Sequence, residues 1–245
     1  MKRIPWSYRL YRLTWNGLDL LFPPVCGGCG TPGSRWCADC RKRVPHIRKP
    51  FCEKCGIPTR SVDLCDKCIS SPPVYRALRS WAVFDSPVQN ALHTIKYRRN
   101  IGLADEIAVH ATDFVRSLNW NVQALIPAPL GKARLKERGY NQVALVARPL
   151  AYELGIEYAP HALMKVRETR SQVGLNISQR KENVREAYQA DPSVVKRKSV
   201  LLMDDVATTG STISACADAL LSAGASEVYA LTIARALSHH DLNRV

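Results

Sequence analysis

The apolar positions of the second two thirds of the chain change period from segment to segment. Arg79–Phe84 is a short mixed run of strand length. Ser86-Pro87-Val88-Gln89 then carries a helix-start pattern, with Ser86 as N-cap, Pro87 in the first turn and Gln89 at the capping-box position. Val88, Ala91, Leu92 and Ile95 continue at helical spacing. A second helix is predicted over Leu103–Leu118, a strand over Val122–Ile126, and a helix over Asn141–Leu154 closed by Gly155. Pro149 predicts a kink in that last helix. Ala159–Lys165 reads as a strand and Ser199–Met203 as a buried one. Ser211–Ala223 follows as a helix with Gly224 as its stop, and Glu227–Ala234 as a final strand. This alternation predicts an α/β fold: a mainly parallel sheet flanked by helices on both faces. In such sheets ligands sit beyond the carboxyl ends of the strands.

The first third has no such alternation. Within Met1–Phe22, Ile4, Trp6, Tyr8, Leu10, Tyr11, Leu13, Trp15 and Leu18 alternate with basic residues, as in a helix that packs on a neighbour. Eight of the nine cysteines follow as four C-x-x-C pairs: Cys26/Cys29, Cys37/Cys40, Cys52/Cys55 and Cys65/Cys68. Each pair is a knuckle that aims two thiolates at one ion, and four soft thiolates in a tetrahedron suit Zn²⁺. Two structural zinc ions are therefore expected, paired sequentially or cross-braced; the spacing allows both. An iron–sulfur cluster would use the same ligands. Gly27, Gly28, Gly30 and Gly56 fall where knuckle turns call for positive φ. So short a segment draws its folding free energy from the metal. Ile69-Ser-Ser-Pro-Pro-Val74 reads as a linker, which divides the chain into units 1–72 and 73–245. Cys216, among Ala215, Ala217 and Ala219, reads as helix packing.

Charge adds a class of partner. The formal net charge is +14 over 245 residues. Residues 1–72 hold 13 Lys and Arg against five acids. Such a surface favours polyanions, and single-stranded DNA is one expected partner. Arg41-Lys42-Arg43 with Arg48-Lys49 is the candidate phosphate-contact cluster. Trp6, Trp15, Trp36 and Phe51 are available for stacking, although core packing accounts for most such aromatics. No apolar run approaches the ~20 residues of a membrane span. The N-terminal pattern lacks the continuous apolar core of a secretory leader, so a cytoplasmic protein with reduced thiols is expected.

The chemistry-bearing motif is Ser199-Val-Leu-Leu-Met-Asp-Asp-Val-Ala-Thr-Thr-Gly-Ser-Thr212. An apolar strand runs into two adjacent carboxylates, Asp204 and Asp205. A loop of small and hydroxylic residues then opens a helix. Free N–H groups at a helix start bind phosphate, and Thr208, Thr209, Ser211 and Thr212 add hydroxyls. The carboxylates can accept from a pair of ribose hydroxyls, so the constellation fits a 5-phosphoribosyl group. A Walker-type nucleotide site would need a G-x₄-G-K-[ST] loop, and the chain has none.

These residues resemble the 5-phosphoribosyl-1-diphosphate (PRPP) motif of type I phosphoribosyltransferases. Together with the cysteine-rich first third, the chain resembles the ComF family of competence-associated, double-zinc-ribbon, phosphoribosyltransferase-like proteins. Leu21-Phe-Pro-Pro-Val-Cys26, Ile126-Pro-Ala-Pro-Leu130, Glu137-Arg-Gly-Tyr-Asn-Gln142, Arg170-Ser-Gln-Val-Gly-Leu175, Gln179-Arg180 and Asn183-Val184 carry the resemblance further. It implies that Asp204 and Asp205 hold the ribose hydroxyls and serve as the catalytic pair. Ala207, Thr208, Thr209, Gly210, Ser211 and Thr212 would cradle the 5′-phosphate. The Pro127–Lys132 turn would lie at the diphosphate, within reach of Lys132, Arg134, Lys136 and Arg138. Lys165–Arg185 would be the closing loop, with Arg170, Gln172 and Arg180 as ligand candidates.

The same resemblance implies PRPP bound with Mg²⁺, and a role in natural transformation or the use of extracellular DNA once a single strand reaches the cytoplasm. Protein partners of DNA import or recombination are expected with it. The alternative is an active phosphoribosyltransferase that displaces diphosphate at C1 through an oxocarbenium-like transition state. No residues identify its acceptor; the resemblance leaves the place of an acceptor hood to the zinc module or to Ile95-Lys-Tyr-Arg-Arg99.

Overall fold

A computed structural model describes residues 6, 8, 10, 13, 23–61, 63–98, 100–167 and 187–237. Short helices α1 (Ala38–Lys42) and α2 (Asp66–Ser70) start inside the second knuckle of each ribbon. Then come β1 (Ala77–Val83), α3 (Val88–Tyr97), α4 (Ile101–Ser117), β2 (Ala124–Pro127), α5 (Lys132–Arg138), α6 (Gln142–Leu154), β3 (Glu157–Tyr158) and β4 (Leu163–Lys165). β5 (Tyr188–Ala190), α7 (Pro192–Val195), β6 (Ser199–Ala207), α8 (Ser211–Ser222) and β7 (Glu227–Arg235) complete the described chain. The main sheet has the order β1-β7-β6-β2-β3, and every pair is parallel. β4 and β5 form a separate antiparallel pair.

Alternation along the strands explains why both faces are covered. Leu125, Leu201, Met203, Leu231 and Ile233 join one buried cluster, with α3, α4 and α6. Ala124, Ile126, Val200, Leu202, Val228 and Ala230 join the other, with α8 and the small sheet. Successive strand residues point to opposite faces, so an uninterrupted apolar run such as Val200–Met203 needs a layer on each side.

Several expectations need correction. Ser86 does not cap α3. Its N–H donates to Asp85 Oδ1 (2.7 Å), Pro87 occupies the cap position, and no side chain caps the helix. Asn141 does cap α6, its Oδ1 accepting from Val143 N–H (2.9 Å), and α6 continues through Pro149 to Gly155. β6 does not stop at Met203; it carries both aspartates and ends at Ala207. The reason is β7, which keeps pairing beyond Met203 (Asp204 with Thr232, Val206 with Ala234) after β2 has ended at Pro127. The basic turn after Pro127 is helical from Lys132. None of α5's residues is buried, so no apolar stripe announced it.

The ribbons do not stand apart from the sheet. Cys26, Trp36, Cys40 and Val44 belong to the same buried cluster as Leu92, Ile95 and Leu103. Val83 N–H donates to Pro45 O (2.7 Å), and Leu78 N–H to Lys54 O (2.8 Å). At the N-terminal end, Tyr8 is buried and meets Tyr152 edge-on with ring centroids 5.1 Å apart, while Trp6 stays exposed.

Candidate functional site

Two clusters of four thiols are formed in sequential pairing. Cys26, Cys29, Cys37 and Cys40 make one, and Cys52, Cys55, Cys65 and Cys68 the other, each with all Sγ atoms within 4.8 Å. A tetrahedral ion with Zn–S bonds of ~2.3 Å sets its sulfurs ~3.8 Å apart. Cys26–Cys40 is 3.7 Å, Cys29–Cys37 3.6 Å and Cys55–Cys65 3.7 Å. Backbone N–H groups of Cys37, Cys40 and Cys65 point at Sγ of Cys26, Cys37 and Cys52, each at 3.4 Å. Burial and hydrogen bonding with Cys29 push the Cys40 thiol well up, and burial with the charge of Cys55 does the same to Cys68. Four ionised thiols this close need a divalent cation, and two structural zinc ions suit the two sets.

Only Gly30 and Gly56 of the four knuckle glycines need the left-handed region (φ 81° and 71°). Gly28 is required for space instead. A Cβ there would lie 2.8 Å from both Cys40 Sγ and Pro87 Cβ, and 2.9 Å from Trp36. The first ribbon is thus seated on α3, where Asn90 Nδ2 also donates to Gly28 O (2.8 Å).

The second candidate lies between β2 and β6. From β2 the chain adds β3 on one side and β6 on the other, so this gap is the point where strand order reverses, the usual ligand crevice of open α/β sheets. Asp204 and Asp205 reach it from β6, and the Pro127–Gly131 turn from β2. Asp205 is tightly held. Lys96 Nζ lies 2.8 Å from its Oδ2, with side-chain exposures of 21% and 14%. Gln142 Nε2 donates to the same oxygen (2.9 Å), and Val206 N–H to Oδ1 (2.7 Å). Gln142 is itself held by Arg138 Nη1 on its Oε1 (3.0 Å), and the Arg138 guanidinium lies 5.1 Å from the Tyr97 ring centroid. Burial, with the neighbouring Asp205 charge, raises the Asp204 carboxyl to about 7.

Beyond the acids, the strand gives way to Thr208-Thr209-Gly210, with Gly210 at φ 78°, and α8 begins at Ser211. Thr209 Oγ1 and Ser211 Oγ are 2.8 Å apart. Lys67, between the last two zinc-binding cysteines, donates from Nζ to Thr209 O (2.7 Å). On the other side of the loop, buried Arg235 donates to Cys55 O (2.7 Å), and Ala236 N–H to Ala207 O (2.9 Å). The second ribbon therefore braces the helix-start loop directly.

Of the expected site residues, Asp204, Asp205 and 207–212 fall in one segment at the crevice. Arg138 joins them through Gln142, whereas Lys132 is exposed on α5. Arg170, Gln172 and Arg180 lie outside the described residues, as does Trp15. Trp36 is a core residue at 2% exposure and offers no stacking face, and the Arg79 guanidinium lies over the Phe51 ring, its carbon 4.7 Å from the centroid. The contacts of Lys96, Gln142 and Lys67 have no signature in the sequence. Lys96 lies beside Tyr97 in the Ile95–Arg99 segment and Gln142 in the family-like Glu137–Gln142 segment, but neither pattern pairs them with Asp205. Cys216 is buried in α8, as its alanine neighbours predicted, and burial raises its thiol.

Two zinc ribbons seated on a parallel sheet, with an acidic pair and a helix-start loop at its switch point, define a double-zinc-ribbon protein of phosphoribosyltransferase fold. Residues 17–69 match the double zinc ribbon domain, and residues 143–243 the phosphoribosyl transferase domain. The chain is 31% identical over 228 residues to DNA utilization protein YhgH of Salmonella typhimurium, covering 89% of this chain and all of that one. It is 26% identical to competence protein F of Haemophilus influenzae (82% of this chain, 90% of that one) and 28% identical to competence protein ComFC of Bacillus subtilis (91% and 90%). The chain belongs to the ComF family. No helix among the described residues is long and apolar enough to cross a membrane.

Proposed function

We propose that this protein handles imported single-stranded DNA in the cytoplasm and carries a binding site for PRPP in the β2–β6 crevice. The acidic pair at the sheet's switch point, followed at once by a glycine-bearing loop and a helix start, is the observation that supports a phosphoribosyl ligand. Asp204 and Asp205 would receive the ribose hydroxyls, and residues Ala207–Thr212 the 5′-phosphate. The exposed Thr208 and Thr209 hydroxyls and the N–H groups at the start of α8 supply donors for it. The names of the relatives, DNA utilization and competence proteins, support the DNA role. Exposed Arg41, Lys42, Arg43, Arg48 and Lys49 on the first ribbon support a polyanionic partner.

Asp205 already accepts from Lys96 and Gln142, so Mg²⁺ fits on the oxygens of the ligand better than on this carboxylate. It would supply neutralisation of the diphosphate. Lys96 orients Asp205, and the Arg138–Gln142 pair fixes the same oxygen. Residues 1–72 and 73–245 act as two functional units that share a core.

Calorimetric titration of the zinc-loaded protein with PRPP, with and without Mg²⁺, tests the site. Mg²⁺-dependent binding that disappears in the Asp204→Asn/Asp205→Asn protein is expected. Absence of heat in the unmodified protein refutes the ligand assignment, and undiminished binding by the double variant refutes the residue assignment.

A further inference from the structure

The two ribbons are held in different ways. Cys26 and Cys40 of the first are buried among Trp36, Leu92, Ile95 and Leu103 in the main core. Among the described residues the second forms a cluster of its own, in which Cys52, Cys55 and Cys68 are joined by Ile57 and Cys65 alone. Its two knuckles meet at their sulfurs. Cys55 Sγ lies 3.7 Å from Cys65 Sγ, and Cys65 N–H points at Cys52 Sγ (3.4 Å). The first ribbon therefore has apolar packing to set its shape, and the second has its metal ligands.

Each knuckle of the second ribbon is tied to a different part of the chain. The 52–55 knuckle is fastened to the sheet by three successive carbonyls. Glu53 O accepts from Arg79 Nη1 (2.9 Å), Lys54 O from Leu78 N–H (2.8 Å) and Cys55 O from Arg235 Nη1 (2.7 Å). Gly56 follows at φ 71°, and a Cβ there would lie 2.6 Å from Leu78 O, so only glycine lets the turn sit this close to β1. Arg235 is 5% exposed, and its Nε has no acceptor among the described residues. A buried guanidinium calls for negative charge nearby, and four thiolates on one Zn²⁺ carry a formal −2. Arg235 also pairs with Ala207 across β7 and β6, where the helix-start loop begins.

The 65–68 knuckle reaches that loop from outside, where Lys67 Nζ donates to Thr209 O (2.7 Å). Lys67 stands on α2, a helix of five residues, too short to persist unless something holds it. An ion shared by the two knuckles would join the knuckle fastened to the sheet to the one that touches the loop, and so fix where Lys67 stands.

We propose that the second ribbon is a positioning element of the phosphoribosyl site: with zinc bound at Cys52, Cys55, Cys65 and Cys68, Lys67 holds the Thr208-Thr209-Gly210 turn ready for phosphate, and zinc and PRPP each tighten the binding of the other. The inference rests on the PRPP reading above. Linkage of this kind is reciprocal, so both affinities change by the same factor. One charge-assisted hydrogen bond to an exposed carbonyl sets that factor at about fivefold. The place of the first ribbon is set by the core, so PRPP leaves its zinc affinity unchanged.

The test is an equilibrium zinc competition on the full zinc-loaded chain. Zinc retained per chain is measured against rising concentrations of a nitrogen chelator that ignores Mg²⁺, first with Mg²⁺ alone and then with Mg²⁺ and saturating PRPP. Calorimetry on the same samples reports whether PRPP binds. One of the two ions is expected to need about fivefold more chelator when PRPP is present. Lys67→Met should abolish that shift and weaken PRPP binding by the same factor, with two ions per chain retained before chelator is added. Lys67→Arg keeps a charged donor and should restore both. Cys68→Ser keeps only the first ion and should show no shift, which controls for zinc bound by PRPP itself. PRPP binding with no shift in either ion, or with the full shift in Lys67→Met, overturns the inference and leaves the phosphoribosyl reading standing. An equal shift of both ions reports general stabilisation of the fold and overturns it too. No PRPP binding by the unmodified chain overturns the reading on which the inference rests.

Discussion

Lys96 offers a direct measurement of the electrostatics at the crevice. Replacement by Met removes an ammonium 2.8 Å from Asp205 Oδ2 and leaves the donors of Gln142 and Val206 in place. Breaking a buried pair from one side costs about 3–5 kcal/mol, while a surface pair is worth about 0–1. With exposures of 21% and 14% and two donors retained, a loss of ~2 kcal/mol is expected. For a chain of this length that corresponds to a fall of roughly 4–8 °C in melting temperature. The loss must depend on pH. Without the ammonium, ionised Asp204 loses the cation that partly offsets its repulsion by Asp205, and a proton on Asp204 removes that repulsion. The deficit is therefore full above the Asp204 value of about 7 and fades below it. Calorimetric melting of the unmodified chain, Lys96→Met, Asp205→Asn and the double variant at pH 6 and pH 8.5 checks this. A deficit equal at both pH values, or a coupling energy near zero in the double-mutant cycle at pH 8.5, refutes the reasoning.

Asp204→Asn should stabilise the fold increasingly as pH rises from 5 through 7. The carboxyl loses its proton at ~3.9 in the unfolded chain but only at about 7 in the folded one, so its contribution to stability falls as pH rises between those values and is fully lost above 7; melting curves at pH 5 and 8 measure the difference. Lys67→Ala removes a charged donor from Thr209 O and should weaken PRPP binding about fivefold by calorimetry, with two zinc ions per chain retained. Cys68→Ser should reduce the zinc content from two to one by metal analysis and loosen the same loop, because α2 carries both Cys68 and Lys67. Chelation of both ions should shift Trp36 fluorescence to longer wavelength, since this residue packs in the core shared by the first ribbon and α3; an unchanged spectrum on complete zinc removal would count against metal-dependent folding.

Local chemistry made the zinc ligands, the α/β alternation and the 199–212 motif legible. Four C-x-x-C spacings determine four knuckles whatever surrounds them. The uninterrupted run Val200–Met203 requires cover on both faces, and that cover is α3, α4 and α6 on one side and α8 on the other. Features set by long-range contact were not legible. α5 has no buried residue and hence no stripe. The extension of β6 through Asp204 and Asp205 depends on pairing with β7, a strand more than twenty residues further on. Gly28 looks like a turn glycine in the sequence, but Cys40, Pro87 and Trp36 are what exclude a side chain there.

The sequence by itself therefore determined which groups can bind: eight thiols in four pairs, two adjacent carboxylates, and a hydroxylic loop before a helix. Their types and spacing along the chain are enough to define those chemistries. Tertiary structure alone decided what each group faces. It paired the knuckles sequentially, placed Lys96 and Gln142 on Asp205, and set Lys67 of a zinc ribbon against Thr209, 142 residues away. The physical reason is that charge pairing and hydrogen bonding act through space over a few ångströms, and only the packing of the ribbons on α3 and β1 brings these residues within that range.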